Sequence, residues 1–248
     1  MGDKIREAAA LRPPKPKRFY AEASVTEGEA GFGIALDGRS LKTPKRRPLT
    51  LPSRNLAAAI ATEWQAQETE IDPSRMPLTQ LANTVVDGVA EAAAEVVESF
   101  CAFAAADLLC YRAEWPEALA AAQAEAWQPH LDWAEAEYGA RLRVTHGVVA
   151  VDQPEDSLAA LRAACAACDP WRLAALHALA GLYGSAVLAL AVLAGRLDAA
   201  AGFAASRVDE THQARQWGED AEAMRRAAAL AAEAEAAARF AALAAGSP

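Results

Sequence analysis

At 248 residues the chain is long enough for one large domain or two small ones. Apolar residues make up 53% of it but aromatics only 6%, which favours helices packed closely through alanine. A net charge of −9 and a pI near 5.0 argue against general nucleic-acid affinity.

The charge is unevenly spread. Residues 1–54 hold 12 of the 24 Lys and Arg against 6 acids, so a front of +6 precedes a remainder of −15. Cys101, Cys110, Cys165 and Cys168, with no signal peptide, read as reduced thiols inside a cell. The opening "MGDKIREAAALRPPKPKRFY" lacks an apolar h-region and carries acids, which fits a bacterial cytoplasm better than a transit sequence.

In chain order, residues 1–17 read as an extended basic arm punctuated by Pro13, Pro14 and Pro16. From Phe19 the apolar period becomes two, and Asp37-Gly38 is a hairpin signal. Leu49 and Leu51 mark another short strand, so a small antiparallel sheet opens an α+β unit over 18–90. Ser53 is placed to cap a first helix bearing Leu56, Ile60 and Trp64, and Glu63 is expected at the surface. Pro73 and Pro77 break the chain before a second helix through Leu81, Val85 and Val89.

Beyond residue 90 the pattern is nearly all helical, giving a bundle over 91–248. Pro129 is expected to bend or restart one helix. "RLRVTHGVVAV" (141–151) reads as a short hairpin that returns to the first sheet. Asp169-Pro170 starts a later helix, and Asp198 starts one that reaches the segment after residue 208. The run Leu173–Gly195 has no charged residue and the length of a membrane span. Gly184-Ser185 reads as a stop followed by an N-cap, splitting the run into two buried helices with no stable membrane insertion.

Motifs of chemistry are sparse. Cys165-Ala-Ala-Cys168 suits a zinc or thiol-redox site, but Leu158, Leu161, Cys165 and Cys168 form one buried helical stripe. Gly31-Phe32-Gly33 is only a fragment of a dinucleotide fingerprint. Lys45-Arg46-Arg47, with Arg39, Lys42 and Arg54, is a basic cluster read as a solvated loop. Asp107 and Arg112 flank "DLLCYR" at i,i+5, a poor spacing for a pair on one helix.

The segment "DETHQARQWGED" (209–220) stands out between alanine-rich stretches. Phe203, Glu210 and Trp217, seven apart, fall on one helical stripe expected to face protein. A carboxylate between two aromatics needs a partner. Arg207, one turn earlier, is the internal choice, and an open face with an external partner is the other. Gly218 is expected to interrupt the helix and Asp220 to cap the next.

Taken in order, several strings resemble the ATP-twelve family, the assembly chaperones for the alpha subunit of the F₁ sector of ATP synthase. They are "RFY" (18–20), "LDGRSLKTP" (36–44), "EWQAQETEIDPSRMPLTQLANTVVD" (63–87), "DLLCYR" (107–112), "QAEAWQPHLDW" (123–133), "GSAVLALAVLAG" (184–195) and "DETHQARQWGED" (209–220). The resemblance implies an N-terminal α+β unit followed by an orthogonal helical bundle. It also implies a protein without catalysis, cofactor or nucleotide, monomeric when free, that binds the free alpha subunit and shields its beta-contacting surface. Eukaryotic members of the family are expected in the mitochondrial matrix. The family's functionally important acidic position maps to Glu210, and Asp209, Gln213, Trp217 and Gly218 match the same string. His212 stands where an aromatic is more usual. An apolar groove near Glu210 is expected on this reading.

Overall fold

In the computed structural model, which describes residues 15–147, 149–218 and 220–246, the period-two segment forms a three-stranded antiparallel sheet. Its strands are β1 (Ala23–Gly28), β2 (Gly31–Leu36) and β3 (Arg39–Ser40). Asp37 and Gly38, at φ +47° and +77°, make the two-residue turn that joins β2 to β3. The Asp37 carboxylate accepts the N–H groups of Ala21 and Glu22, and these bonds lower its pKa. Leu51 extends the sheet by exchanging both backbone hydrogen bonds with Phe32. Residues 1–14 of the basic arm lie outside the described residues.

Helix α1 (Arg54–Gln65) covers one face of the sheet, with Leu56, Ala57 and Ile60 buried. Ser53 caps it by accepting the Leu56 N–H. Helix α2 (Pro77–Thr84) has no cap of its own, because Met76 precedes it. Glu63, on α1, supplies one instead. Its carboxylate accepts the Leu78 and Thr79 N–H groups, each at 2.8 Å, and the Thr79 hydroxyl at 2.7 Å. The expected surface position of Glu63 is therefore corrected: burial raises its pKa, and the orphan donors of α2 stabilise it there. The basic cluster is also less free than expected. The Thr43 hydroxyl and Lys45 N–H donate to Asp87, and Arg47 pairs with Glu91.

The rest is helical: α3 (Ala93–Ala105), α4 (Glu117–Tyr138), α5 (Glu155–Ala166), α6 (Pro170–Tyr183), α7 (Ala186–Leu193), α8 (Ala199–Ala205), α9 (Val208–Trp217) and α10 (Ala221–Ala244). Pro129 lies inside α4 without ending it. Gly184, at φ +65°, closes α6, and Ser185 caps α7 by accepting the Leu188 N–H. The long apolar run is thus two short buried helices. No helix among the described residues is long and apolar enough to cross a membrane.

Among the described residues, the expected hairpin at 141–151 does not form. β5 (Thr145–His146) pairs in parallel with β4 (Tyr111–Arg112), in a two-stranded unit separate from the first sheet. Of the segment carrying Leu142, Val144, Val149 and Val151, only Thr145–His146 forms strand, and alternation carries no information about the partner. One continuous core runs through the molecule, from Ile34, Leu51 and Ile60 to Leu176, Leu188 and Phe240. Helix α10 completes it by packing on α1, α2, α6, α7 and α8.

Candidate functional site

The chain turns out of α8 at Ser206, whose buried hydroxyl donates to Phe203 O. Arg207, at φ −121° and ψ 26°, then starts α9 in a new phase. This break corrects the single stripe expected from the sequence. Phe203 belongs to α8, and Trp217, at the far end of α9, is 78% exposed. Spacing of seven places residues on one face only along an unbroken helix.

No residue of α9 is buried, so packing alone does not hold it. Two polar anchors do. Asp209 accepts a 2.6 Å hydrogen bond from Gln123 Nε2 on α4. Gln123 is itself buried, and its Oε1 accepts the Ala113 N–H at 2.7 Å. Close by in the sequence, Trp127 Nε1 donates to Ala205 O at 2.7 Å, and the Arg112 guanidinium lies 5.4 Å above the Trp127 ring. A satisfied buried amide fixes orientation more strictly than an apolar contact. Asp209 therefore faces the body and serves the scaffold.

Arg207 is the second anchor. Its guanidinium lies 5.2 Å from the Phe203 ring centre, donates to Leu182 O at 2.9 Å and pairs with Glu210 at 2.7 Å. The internal partner expected for Glu210 is present, yet the Glu210 side chain remains 55% exposed. One carboxylate edge is held and the rest faces solvent. Gln213 is exposed and makes no side-chain hydrogen bond among the described residues. Gly218 ends α9 at φ +90°, and Asp220 caps α10 through the Glu222 N–H. Trp217 and Met224 stand exposed on either side of this joint.

A groove of about 790 Å³ lies elsewhere on the helical layer, with no residue of α8 or α9 among those lining it. It runs between the Pro73–Arg75 turn, α2, α6 and α10, with Leu81, Ala178, Gly181 and Ala237 among its apolar lining and His177 and Glu233 its ionisable members. Leu182 lines it too, and the Leu182 carbonyl is the one that holds Arg207. His177 is half-buried; burial lowers its pKa, and its Nε2 shares a 2.9 Å hydrogen bond with the Ser99 hydroxyl. Sequence reasoning missed Gln123, Leu182 and Glu233. Only Gln123 left a trace there, as a polar residue one turn before Trp127 on a helix otherwise rich in alanine.

The cysteine pair points elsewhere. Cys165 is buried and Cys168 half-buried, and burial raises both thiols, Cys165 to about 12. A reactive or metal-binding thiol needs the opposite shift. Among the described residues, no three His, Cys, Asp or Glu side chains come together as metal ligands.

Comparison with known proteins defines the class. Residues 17–135 match the family described as ATP12 chaperone protein. The crystal structure of Atp12 from Paracoccus denitrificans superposes with a TM-score of 0.88 at 46% identity, covering 92% of this chain and 98% of that one. An aspartate-to-lysine variant of the Paracoccus protein gives the same figures. The Atu1473 protein of Agrobacterium tumefaciens superposes with a TM-score of 0.89 at 42% identity, covering 96% and 90%. The mitochondrial protein atp12 of Schizosaccharomyces pombe is 25% identical over 231 residues, 87% of this chain and 79% of that protein. This chain belongs to the ATP12 chaperone family, whose members act in ATP synthase assembly.

Proposed function

We propose that this protein binds the free F₁ alpha subunit and covers the surface that alpha later presents to beta. An unassembled subunit exposes an interface-sized apolar patch, and a partner on that patch prevents aggregation. The observation that supports this reading is the outer face of α9. It presents a half-free carboxylate at Glu210 and an exposed tryptophan at Trp217, on a helix fixed by Asp209 and Arg207. Aromatic anchors and charge-assisted hydrogen bonds supply most of the affinity of such contacts. Gln213 lies on the same exposed helix, and Gly218 sets where it ends. Release requires only that beta bind alpha more tightly. The protein acts as a monomer, without catalysis, cofactor or nucleic acid, in a bacterial cytoplasm or its mitochondrial equivalent.

The test is light scattering from freshly diluted alpha subunit. Wild type suppresses aggregation. Glu210→Lys, which sets a second cation beside Arg207, and Trp217→Ala each weaken protection by about tenfold or more, the effect of losing one good charged or aromatic contact. Circular dichroism stays at wild type for both; Trp217→Ala melts as wild type, and Glu210→Lys loses no more than the ~1 kcal/mol of a surface pair. Full protection by both folded variants would move the contact away from α9. No protection by wild type would refute the chaperone reading for this client.

A further inference from the structure

β1 is an edge strand, and half of its backbone groups point away from the sheet. Asp37 N donates to Glu22 O on the β2 side. By alternation Ser24 and Thr26 bond inward to β2, while Ala23, Val25 and Glu27 face outward. The far side of β2 agrees. Phe32, opposite Glu27, exchanges its hydrogen bonds with Leu51, and Ile34, opposite Val25, accepts the Leu41 N–H. Among the described residues, the outward Ala23 O, Val25 N–H, Val25 O and Glu27 N–H have no partner, and Thr26, Glu27 and Gly28 are exposed.

This edge already holds one piece of a neighbouring strand. The Gln65 side chain, at the end of α1, accepts the Ala23 N–H at 2.9 Å and donates to Ala21 O at 3.2 Å. A residue of a parallel strand bonds the residue it faces in the same way, donating to the carbonyl before it and accepting from the N–H after it. Gln65 thus takes the rung opposite Glu22. Two complete rungs of the same kind follow, Ala23 O with Val25 N–H and Val25 O with Glu27 N–H. An antiparallel strand would use both groups of one residue, and the Ala23 N–H is already taken.

Charge selects the occupant. Glu22, Glu27 and Glu29 lie along the edge and its hairpin, where Arg54 pairs with Glu27. Arg18 is committed to the Tyr20, Ala21 and Gln67 carbonyls. A second copy of the chain would set the same acids against these, whereas a segment bearing Lys or Arg complements them.

We propose that the outer edge of β1 accepts an extended, basic segment of the unassembled alpha subunit as a parallel strand, with two of its residues opposite Ser24 and Thr26. Main-chain bonds supply the affinity in this mode of binding, so it suits a client whose own strands are incompletely paired. The inference rests on the client proposed above but on no residue of α9.

The test is amide exchange, resolved by residue, on the full chain alone and with freshly diluted alpha subunit. Alone, the Ser24 and Thr26 amides are protected and those of Val25 and Glu27 exchange fast. With alpha bound, Val25 and Glu27 slow by at least about tenfold. Glu27→Pro removes the outward N–H and leaves the ladder to β2 intact, since proline is tolerated on the solvent side of an edge strand. It binds alpha at least about fivefold more weakly than Glu27→Ala, which loses the side chain but keeps the N–H. Fast exchange of both amides in a complex that does form, or equal binding by the two folded variants, would overturn the strand and leave the chaperone reading in place. Protection of both amides in the free chain would show an edge already covered, by the chain itself or, if protection rises with concentration, by a second copy, and would overturn it too. Failure of wild type to bind alpha at all would remove the chaperone reading and this inference together.

Discussion

Asp107 is fully buried, and its carboxylate accepts hydrogen bonds from Leu109 N, the Ser185 hydroxyl and Val187 N. It ties the start of α7 to the chain after α3, 78 residues away in sequence. Burial outweighs these bonds and pushes its pKa up to about 6. The folded chain therefore holds this proton more tightly than the unfolded chain does. Its stabilising contribution is complete below about pH 4 and is lost as pH rises through about 6, roughly 3 kcal/mol in all. Urea midpoints measured from about pH 4 to about pH 7 should fall by this contribution in wild type, and the slope should flatten in Asp107→Asn. At the acid end Asp107→Asn should be the less stable, because its amide would turn N–H toward the Val187 N–H. The sequence set Asp107 at a poor i,i+5 spacing from Arg112 and offered it no other partner. The true partner is brought near by tertiary packing, which no local spacing encodes. Arg112 instead donates to Leu109 O and lies over Trp127.

Helix starts and stops were the most legible elements. Ser53, Asp169, Ser185, Asp198 and Asp220 each accept the N–H groups of the helix they precede, as their side chains and positions suggest. The cap of α2 was invisible because it comes from Glu63 on another helix. The break at Ser206-Arg207 carries no glycine or proline to announce it, so the helix begun at Asp198 ends before the segment it was expected to reach. Close contact between α6, α7 and α8 explains Gly202. A Cβ there would lie 2.9 Å from Val192 Cγ2 and 3.1 Å from the Tyr183 ring. That ring is buried and its hydroxyl donates to Ala199 O at 3.0 Å, so it has little room to move. Gly202→Ala gains about 1 kcal/mol of helix propensity but costs about 1–3 kcal/mol in overpacking. A lower urea midpoint is expected; a higher one would show that the α6–α8 contact relaxes cheaply.

At the scale of the whole molecule, the α+β layer and the helices share a core rather than meeting at a polar seam. Helix α10 touches both, and the Ser53 hydroxyl, at the edge of the sheet layer, donates to Leu243 O near its end. Calorimetry should therefore show one transition, with calorimetric and van't Hoff enthalpies in agreement. Two resolved transitions would mean that the sheet layer folds independently. Fold class was readable because the change of period from two to near 3.6 is a property of the sequence itself. The outer face of α9 was readable in part. Glu210 and Arg207 are near neighbours in sequence, whereas Gln123 and Leu182 reach the site only through the fold.

The position of α10 in the chain also sets an order in time. A ribosome releases α1, α2 and the sheet long before the helix that covers them, and Phe240 and Ala241 fill the shared core from its last turns. Until those residues emerge, Leu56, Ile60 and Leu176 have no complete surroundings. The protein must therefore finish folding after most of it has been synthesised, passing through the same exposed, unassembled condition from which it is proposed to protect another chain.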